Sequence, residues 1–145
     1  QIGMNDDVHV QHFPAEEMWK GDSIQLVLQF PGQSDYWELG IAMTEDGKML
    51  KHIWHAPKGM DVKKAFEGFQ TRGYKQDKSH NFRLILTLSA FGTSPEALRK
   101  TGAYFNLLAN DNDGELRESQ LSFMGSDGTN PTERLTRESP LLVVK

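Results

Sequence analysis

Apolar and polar residues alternate with a period of two over most of this chain, and that pattern is satisfied by strands with one buried face. Ile24, Leu26, Leu28 and Phe30 interleave with Gln25, Val27 and Gln29, and Leu39, Ile41 and Met43 repeat the alternation. Glu45-Asp46-Gly47-Lys48 then reads as a hairpin turn, with residues 49–54 as its return strand. Residues 82–88 and 103–109 read as further strands, and 141–144 is an apolar run expected to pair with an edge. Roughly nine short strands separated by Gly, Pro, Asn and Asp predict an all-β fold, an antiparallel β-sandwich. The chain of 145 residues is a single domain's worth, one sandwich over 1–145.

One segment breaks the rhythm. In Ser94-Pro95-Glu96-Ala97-Leu98-Arg99-Lys100, Ser caps, Pro takes the first helical position and Gly102 stops the turn, so a short helical turn is expected there. Residues 125–136 read as a loop by composition.

A net charge of −4, with sixteen Lys and Arg residues scattered along the chain, argues against a nucleic-acid surface. The absence of cysteine removes disulfides, thiolate metal sites and a Cys nucleophile together. No apolar stretch approaches the roughly eighteen residues of a membrane span, and no basic, hydrophobic leader opens the sequence, so mature or excised material is expected. Gly-x-Ser-x-Gly and phosphate-cradling Gly loops do not occur.

Residues 103–117 read as strand, tight turn and strand, with Asp113-Gly114 as a two-residue reversal requiring positive φ. The same turn gathers Asn110, Asp111, Asn112 and Asp113. Such a cluster either satisfies its own backbone or holds a cation or a sugar hydroxyl. Arg117 is expected to pair with Asp111, Asp113 or Glu115 across the turn. His9 and His12, like His52 and His55, are three apart, which on a strand puts each pair on opposite faces and argues against a shared metal.

Trp19, Tyr36, Trp37, Trp54, Tyr74 and Tyr104 lie beside polar residues, whereas Phe30, Phe82 and Phe105 read as core. Trp19, in a loop between Pro14 and Gly21, is expected to be the most exposed of the three tryptophans. An exposed indole beside Asn, Gln and Asp is how a surface stacks on a pyranose while bonding its hydroxyls.

The ordered set Asn5-Asp6-Asp7-Val8, then Met18-Trp19-Lys20-Gly21-Asp22-Ser23-Ile24-Gln25-Leu26, then 102–106, then Asn110-Asp111-Asn112-Asp113-Gly114 with Arg117, resembles the family 9 carbohydrate-binding modules and their DOMON-like relatives. The resemblance spans nearly the whole chain. It implies a jelly-roll-like sandwich, an accessory module of a secreted or periplasmic polysaccharide-active protein such as a glycoside hydrolase, non-catalytic and often carrying structural calcium. Trp19 matches the family's first clamp aromatic, Gln25 stands where a strand supplies a polar contact, and Trp54 and Asn110 complete the sugar-contacting set. Asp6 and Asp22, each beside a strand at a family-conforming position, are the implied calcium ligands. No organic cofactor is implied.

Two departures accompany the resemblance. The second clamp aromatic is missing from 126–132, so stacking would be one-sided. Family members also carry further strands before the position of Asp6, so a longer chain, or a neighbouring domain or chain that completes the sandwich, is expected. The pattern Trp-x-Gly-Asp followed by Gln-Leu-Val-Leu-Gln-Phe-Pro is similar as well to haem-binding subunits of periplasmic dehydrogenases. For that alternative Met43, Met49, Met60 and His52 are the available axial ligands. A domain that only packs against its neighbour is the third reading.

Overall fold

The computed structural model describes residues 1–115, 117–123 and 141–142. Among them, strands β1 (Ile2–Asn5), β2 (Ser23–Gln29), β3 (Trp37–Met43), β4 (Met49–His55), β5 (Phe69–Gln76), β6 (Ser79–Leu86), β7 (Ala103–Asp111), β8 (Ser119–Ser122) and β9 (Leu141–Leu142) form two antiparallel sheets. The smaller has the order β1-β6-β5. The larger runs β4-β3-β2-β7-β8, with β9 paired to β7 beside Ala103 and Tyr104. The fold is therefore the all-β sandwich that the alternation predicts.

Alternation along each strand sends one set of side chains into a shared core. Ile24 and Leu28 of β2 and Trp37, Leu39, Ile41 and Met43 of β3 meet Phe69 and Phe82 of the smaller sheet, with Ile2 and Met4 packed at its edge. Each large apolar side chain so buried contributes about 1.5–3 kcal/mol as an upper figure. Helix α1 (Val62–Gly68), helix α2 (Pro95–Thr101) and a 3-10 turn over Leu88–Phe91 add Ala65, Leu98, Ala90 and Phe91 to this core. Phe91 packs edge-on to Trp37, ring centroids 4.8 Å apart.

The helical turn expected at 94–100 is α2: Ser94 Oγ accepts the Ala97 N–H at 3.2 Å, Pro95 opens the helix and Gly102 ends it at φ 68°. The β3–β4 reversal also follows expectation, with the Thr44 N–H donating to Lys48 O at 2.9 Å and Gly47 at φ 83°. Helix α1 and a 3-10 turn over Ala15–Lys20 are additions. Trp19 sits in that turn and not in an irregular loop.

The β7–β8 connection departs from its expected form. It runs from Asn112 to Glu118 and closes with the Glu118 N–H on Asp111 O at 2.9 Å. Gly114 is not in the left-handed region. Asn112 makes the turn instead, its Oδ1 accepting the Gly114 N–H at 2.7 Å. Its backbone N–H is already committed to Asp22, so a two-residue reversal at Asp113-Gly114 has no free backbone to build on.

On the outer face of the larger sheet the alternate positions are buried too. Ser23, Gln25 and Val27 of β2, Glu38, Gly40 and Ala42 of β3, and Asn106, Leu108 and Asn110 of β7 are all below a tenth exposed. Pairing shifts register between Glu38 and Leu39, so that β4 gains Trp54 as an extra residue. Such a bulge re-aims the side chain it carries. Trp54 lies on Gly40, where a Cβ would overlap the indole and come within 3.1 Å of Met18 Sδ.

Candidate functional site

Segments far apart in sequence converge at the end of the larger sheet where β2 begins and β7 finishes. Asp22 is the knot. Its Oδ2 accepts the Val10 N–H at 2.6 Å, its Oδ1 accepts the Asn112 N–H at 2.8 Å, and its own N–H donates to Val10 O at 3.0 Å. Asn112 reaches back, donating from Nδ2 to Lys20 O at 2.8 Å. Gln11, 1% exposed, donates to both Met18 O and Asp22 O at 3.0 Å. Gly21 permits this closeness, since a Cβ there would lie 2.6 Å from Val10 O.

Asp6 follows β1 and enters the same volume with its side chain 2% exposed. Its Oδ1 accepts the Val8 N–H at 3.0 Å, while its Oδ2 is buried without a hydrogen-bond donor. His9 Nδ1 lies 3.2 Å from Asp22 Oδ2 and 3.8 Å from Asp6 Oδ2, so the expected meeting of Asp6 and Asp22 takes place around one imidazole. His80 stacks on His9 with ring centroids 4.1 Å apart, its Nδ1 4.0 Å from Asp6 Oδ2. Carboxylate oxygens of Asp6, Asp111 and Asp113 lie within 4.8 Å of one another, and one atom each of Asp6, His9 and His80 does likewise.

These are two different donor sets sharing Asp6. Oxygen alone suits a hard cation such as calcium, whereas a carboxylate with two imidazoles suits a transition ion. The hydrogen bonding of His9 favours the first. His9 Nε2 is 2.7 Å from Met43 O, an acceptor only, so Nε2 carries a proton. Nδ1 faces carboxylates, and the Asp22 carboxylate beside it holds the His9 pKa above its ordinary value against the opposing effect of burial. With Nε2 committed to Met43 O, Nδ1 is the only nitrogen left to ligate, and the protonation that Asp22 favours removes that lone pair. His80 is pushed the other way, down by burial.

Burial first and the Asp22 charge second raise the Asp6 carboxyl to about 6. Asp113, at the exposed rim, is also raised, through desolvation and the charges of Asp111 and Asp7. A divalent cation among Asp6, Asp111 and Asp113 would relieve this repulsion and give the buried Asp6 Oδ2 a partner. Asp22 lies behind them as an organiser, both of its oxygens engaged by backbone N–H groups.

The Ala15–Lys20 turn is clamped to the outer sheet face beside this cluster. Met18 is fully buried, and Trp54 Nε1 donates to Glu16 O at 2.8 Å. Trp19 is left 38% exposed, against 0% for Trp37 and a half-buried Trp54. Lys20 Nζ and Arg117 Cζ stand 5.6 and 5.5 Å from its ring centroid. Arg117 donates to Asn110 Oδ1 at 3.1 Å, and Asn110 donates to Ser23 Oγ at 2.9 Å. Arg117 thus reaches both Asn110 and the indole.

Among the residues expected to touch sugar, Trp19 presents open surface. Asn110 is fully buried beneath Arg117, Gln25 is 3% exposed with its Oε1 lacking a donor, and Trp54 holds the turn. The segment 126–132, where a second aromatic was sought, lies outside the described residues. For the haem alternative, Met43 and Met49 pair across β3 and β4 and pack with the core, whereas His52 lies on the other face against Trp54. Met60 packs at Gly92. His12 lies tilted against Phe13, and His55 pairs with Asp35 at 2.9 Å.

Comparison with family models, characterised proteins and solved structures finds no match to this chain, which leaves the geometry above as the basis for a functional reading.

Proposed function

We propose that the chain is a non-catalytic carbohydrate-binding module, secreted or periplasmic and accessory to a polysaccharide-active protein. In it, calcium held by Asp6, Asp111 and Asp113 stiffens the segments that present Trp19 to a sugar ring. The observation that carries this reading is the exposed Trp19 indole on a turn fixed from beneath by Trp54 and Gln11 and flanked by two cationic side chains. A rigid indole offers its face to the C–H side of a pyranose, and the neighbouring Lys20 and Arg117 donate to hydroxyls. The most buried carboxylates, Asp6 and Asp22 at 2% and 3% exposure, are turned to the cation and backbone and do not front an open cleft.

Stacking from one side gives modest affinity, about −4 to −8 kcal/mol or millimolar to micromolar dissociation constants. Titration of oligosaccharides followed by tryptophan fluorescence, with calcium and with chelator, tests this. Saturable quenching that Trp19→Ala abolishes is the expected result. Binding of undiminished affinity in Trp19→Ala, or no response to any glycan, removes the reading in favour of a packing domain.

A further inference from the structure

The smaller sheet turns a second and chemically different face to solvent. Its inward positions, Ile2 and Met4, Phe82 and Leu84, and Phe69, belong to the core, so the alternate positions of β1, β6 and β5 point outward. No outward position on the three strands is Asp or Glu. On a chain of net charge −4 this face instead carries Arg72 and Arg83, both exposed and directly opposite each other across the β5–β6 ladder. Cβ atoms so placed are roughly 4.5–5.5 Å apart, and like charges there destabilise the sheet. Among the described residues no ion pair relieves either guanidinium. Tyr74, one outward step along β5, is 53% exposed. With Gln1, Asn81 and the two arginines it lines a hollow of about 320 Å³ over Phe82, at the lower end of the ~300–1,000 Å³ range of ligand sites.

We propose that this face binds a uronate-bearing polysaccharide. Arg72 and Arg83 grip the ring carboxylate, for which the planar guanidinium is a bidentate match. Tyr74 supplies an apolar platform for the ring, and the Gln1 and Asn81 amides, engaged with Tyr74, Ser79 and each other only at 3.3–3.5 Å, bond hydroxyls. A free carboxylate or neutral sugar would leave part of this set idle. The site lies on the smaller sheet and does not rest on the reading of Trp19.

The test is affinity electrophoresis of the full chain in native gels containing polygalacturonate, its fully methyl-esterified form, dextran sulfate or poly(dT). The expected result is retardation by polygalacturonate that the methyl ester abolishes, that weakens with salt, and that falls at least about tenfold in R72Q/R83Q. Both side chains are exposed and their charges repel, so a melting temperature at or above the parent's certifies the variant; Tyr74→Ala, with a several-fold loss, is a second reading of the same site. No retardation by polygalacturonate, retention by the double variant, or equal or stronger retardation by dextran sulfate or poly(dT) overturns the proposal.

Discussion

Replacing Asp6 by Asn separates the cost of its buried carboxylate from the benefit of a cation. Burial and the Asp22 charge raise the Asp6 carboxyl from an ordinary 3.8 to about 6. A folded pKa above the unfolded one means that the folded state holds the proton more tightly, so stability falls as pH rises from about 4 to about 6 and stays reduced above that. Two pKa units correspond to about 3 kcal/mol as an upper bound. Solvent reaching the rim at Asp113 screens part of this, leaving about 1–2 kcal/mol. Asn keeps Oδ1 for the Val8 N–H and offers an N–H toward the Asp22 carboxylate that the Asp6 side chain faces. In chelator at pH 7.5, Asp6→Asn should therefore melt several degrees above the parent, at roughly 2–4 °C per kcal/mol, and at pH 4 the two should coincide. Calcium at a hundred times its dissociation constant adds about 2.7 kcal/mol to the parent and little to the variant, reversing the order. Calorimetric scans of both proteins at both pH values read all of this. A variant less stable than the parent in chelator at pH 7.5, or one that keeps the calcium shift, refutes the reasoning.

Three further outcomes follow from the same geometry. Gly40→Ala should cost about 1–3 kcal/mol by driving a methyl into the Trp54 ring, and Trp54→Leu should recover part of the loss when combined with it, as chemical denaturation would show. Asn112→Ala, which deletes the bonds to Lys20 O and from the Gly114 N–H, should cost about 1–3 kcal/mol, whereas Gly114→Ala, whose new Cβ meets among the described residues only Glu118 Oε1 at 3.5 Å, should cost less than about 0.5; the opposite ranking would restore the Asp-Gly turn. The His9 pKa is raised chiefly by Asp22, so the stability this ring contributes is complete below about 6.5 and fades as pH rises through its higher folded value; in chelator, the melting temperature should decline less between pH 6 and 8 in His9→Gln than in the parent.

Strands could be read because burial of alternate residues writes itself into hydrophobicity at a period of two, and α2 because Ser94, Pro95 and Gly102 each mark a helix boundary. Helix α1 carries one boundary mark, the Asp61 side chain that accepts the Lys64 N–H, but no apolar period, since Ala65 is its sole buried residue and Lys63, Phe66 and Glu67 all face solvent. The Asp113-Gly114 dipeptide misled because turn preference is local, while the Asn112 N–H answers to Asp22 across the fold. Asp6 and Asp22 emerged from the resemblance and not from spacing, and their meeting with Asp111 and Asp113 needed the β2–β7 pairing of Ser23 with Asn110. His80 gave no signal at all. Only the register that sets Met4 opposite His80 carries it to His9.

The Asp22 carboxylate joins backbone at Val10 to backbone at Asn112, and that link has a consequence for the order in which the molecule assembles. The hairpins β3–β4 and β5–β6 close over short stretches of chain, but the Asp22–Asn112 bond must wait until two distant parts of the polypeptide have been brought together. Loop-closure entropy is paid before such a contact rewards it, and we expect this one to form after the main folding barrier. An ion seated among Asp6, Asp111 and Asp113 would then brake unfolding and leave the folding rate almost untouched, so that calcium would govern how long the native state lasts rather than how quickly it is reached.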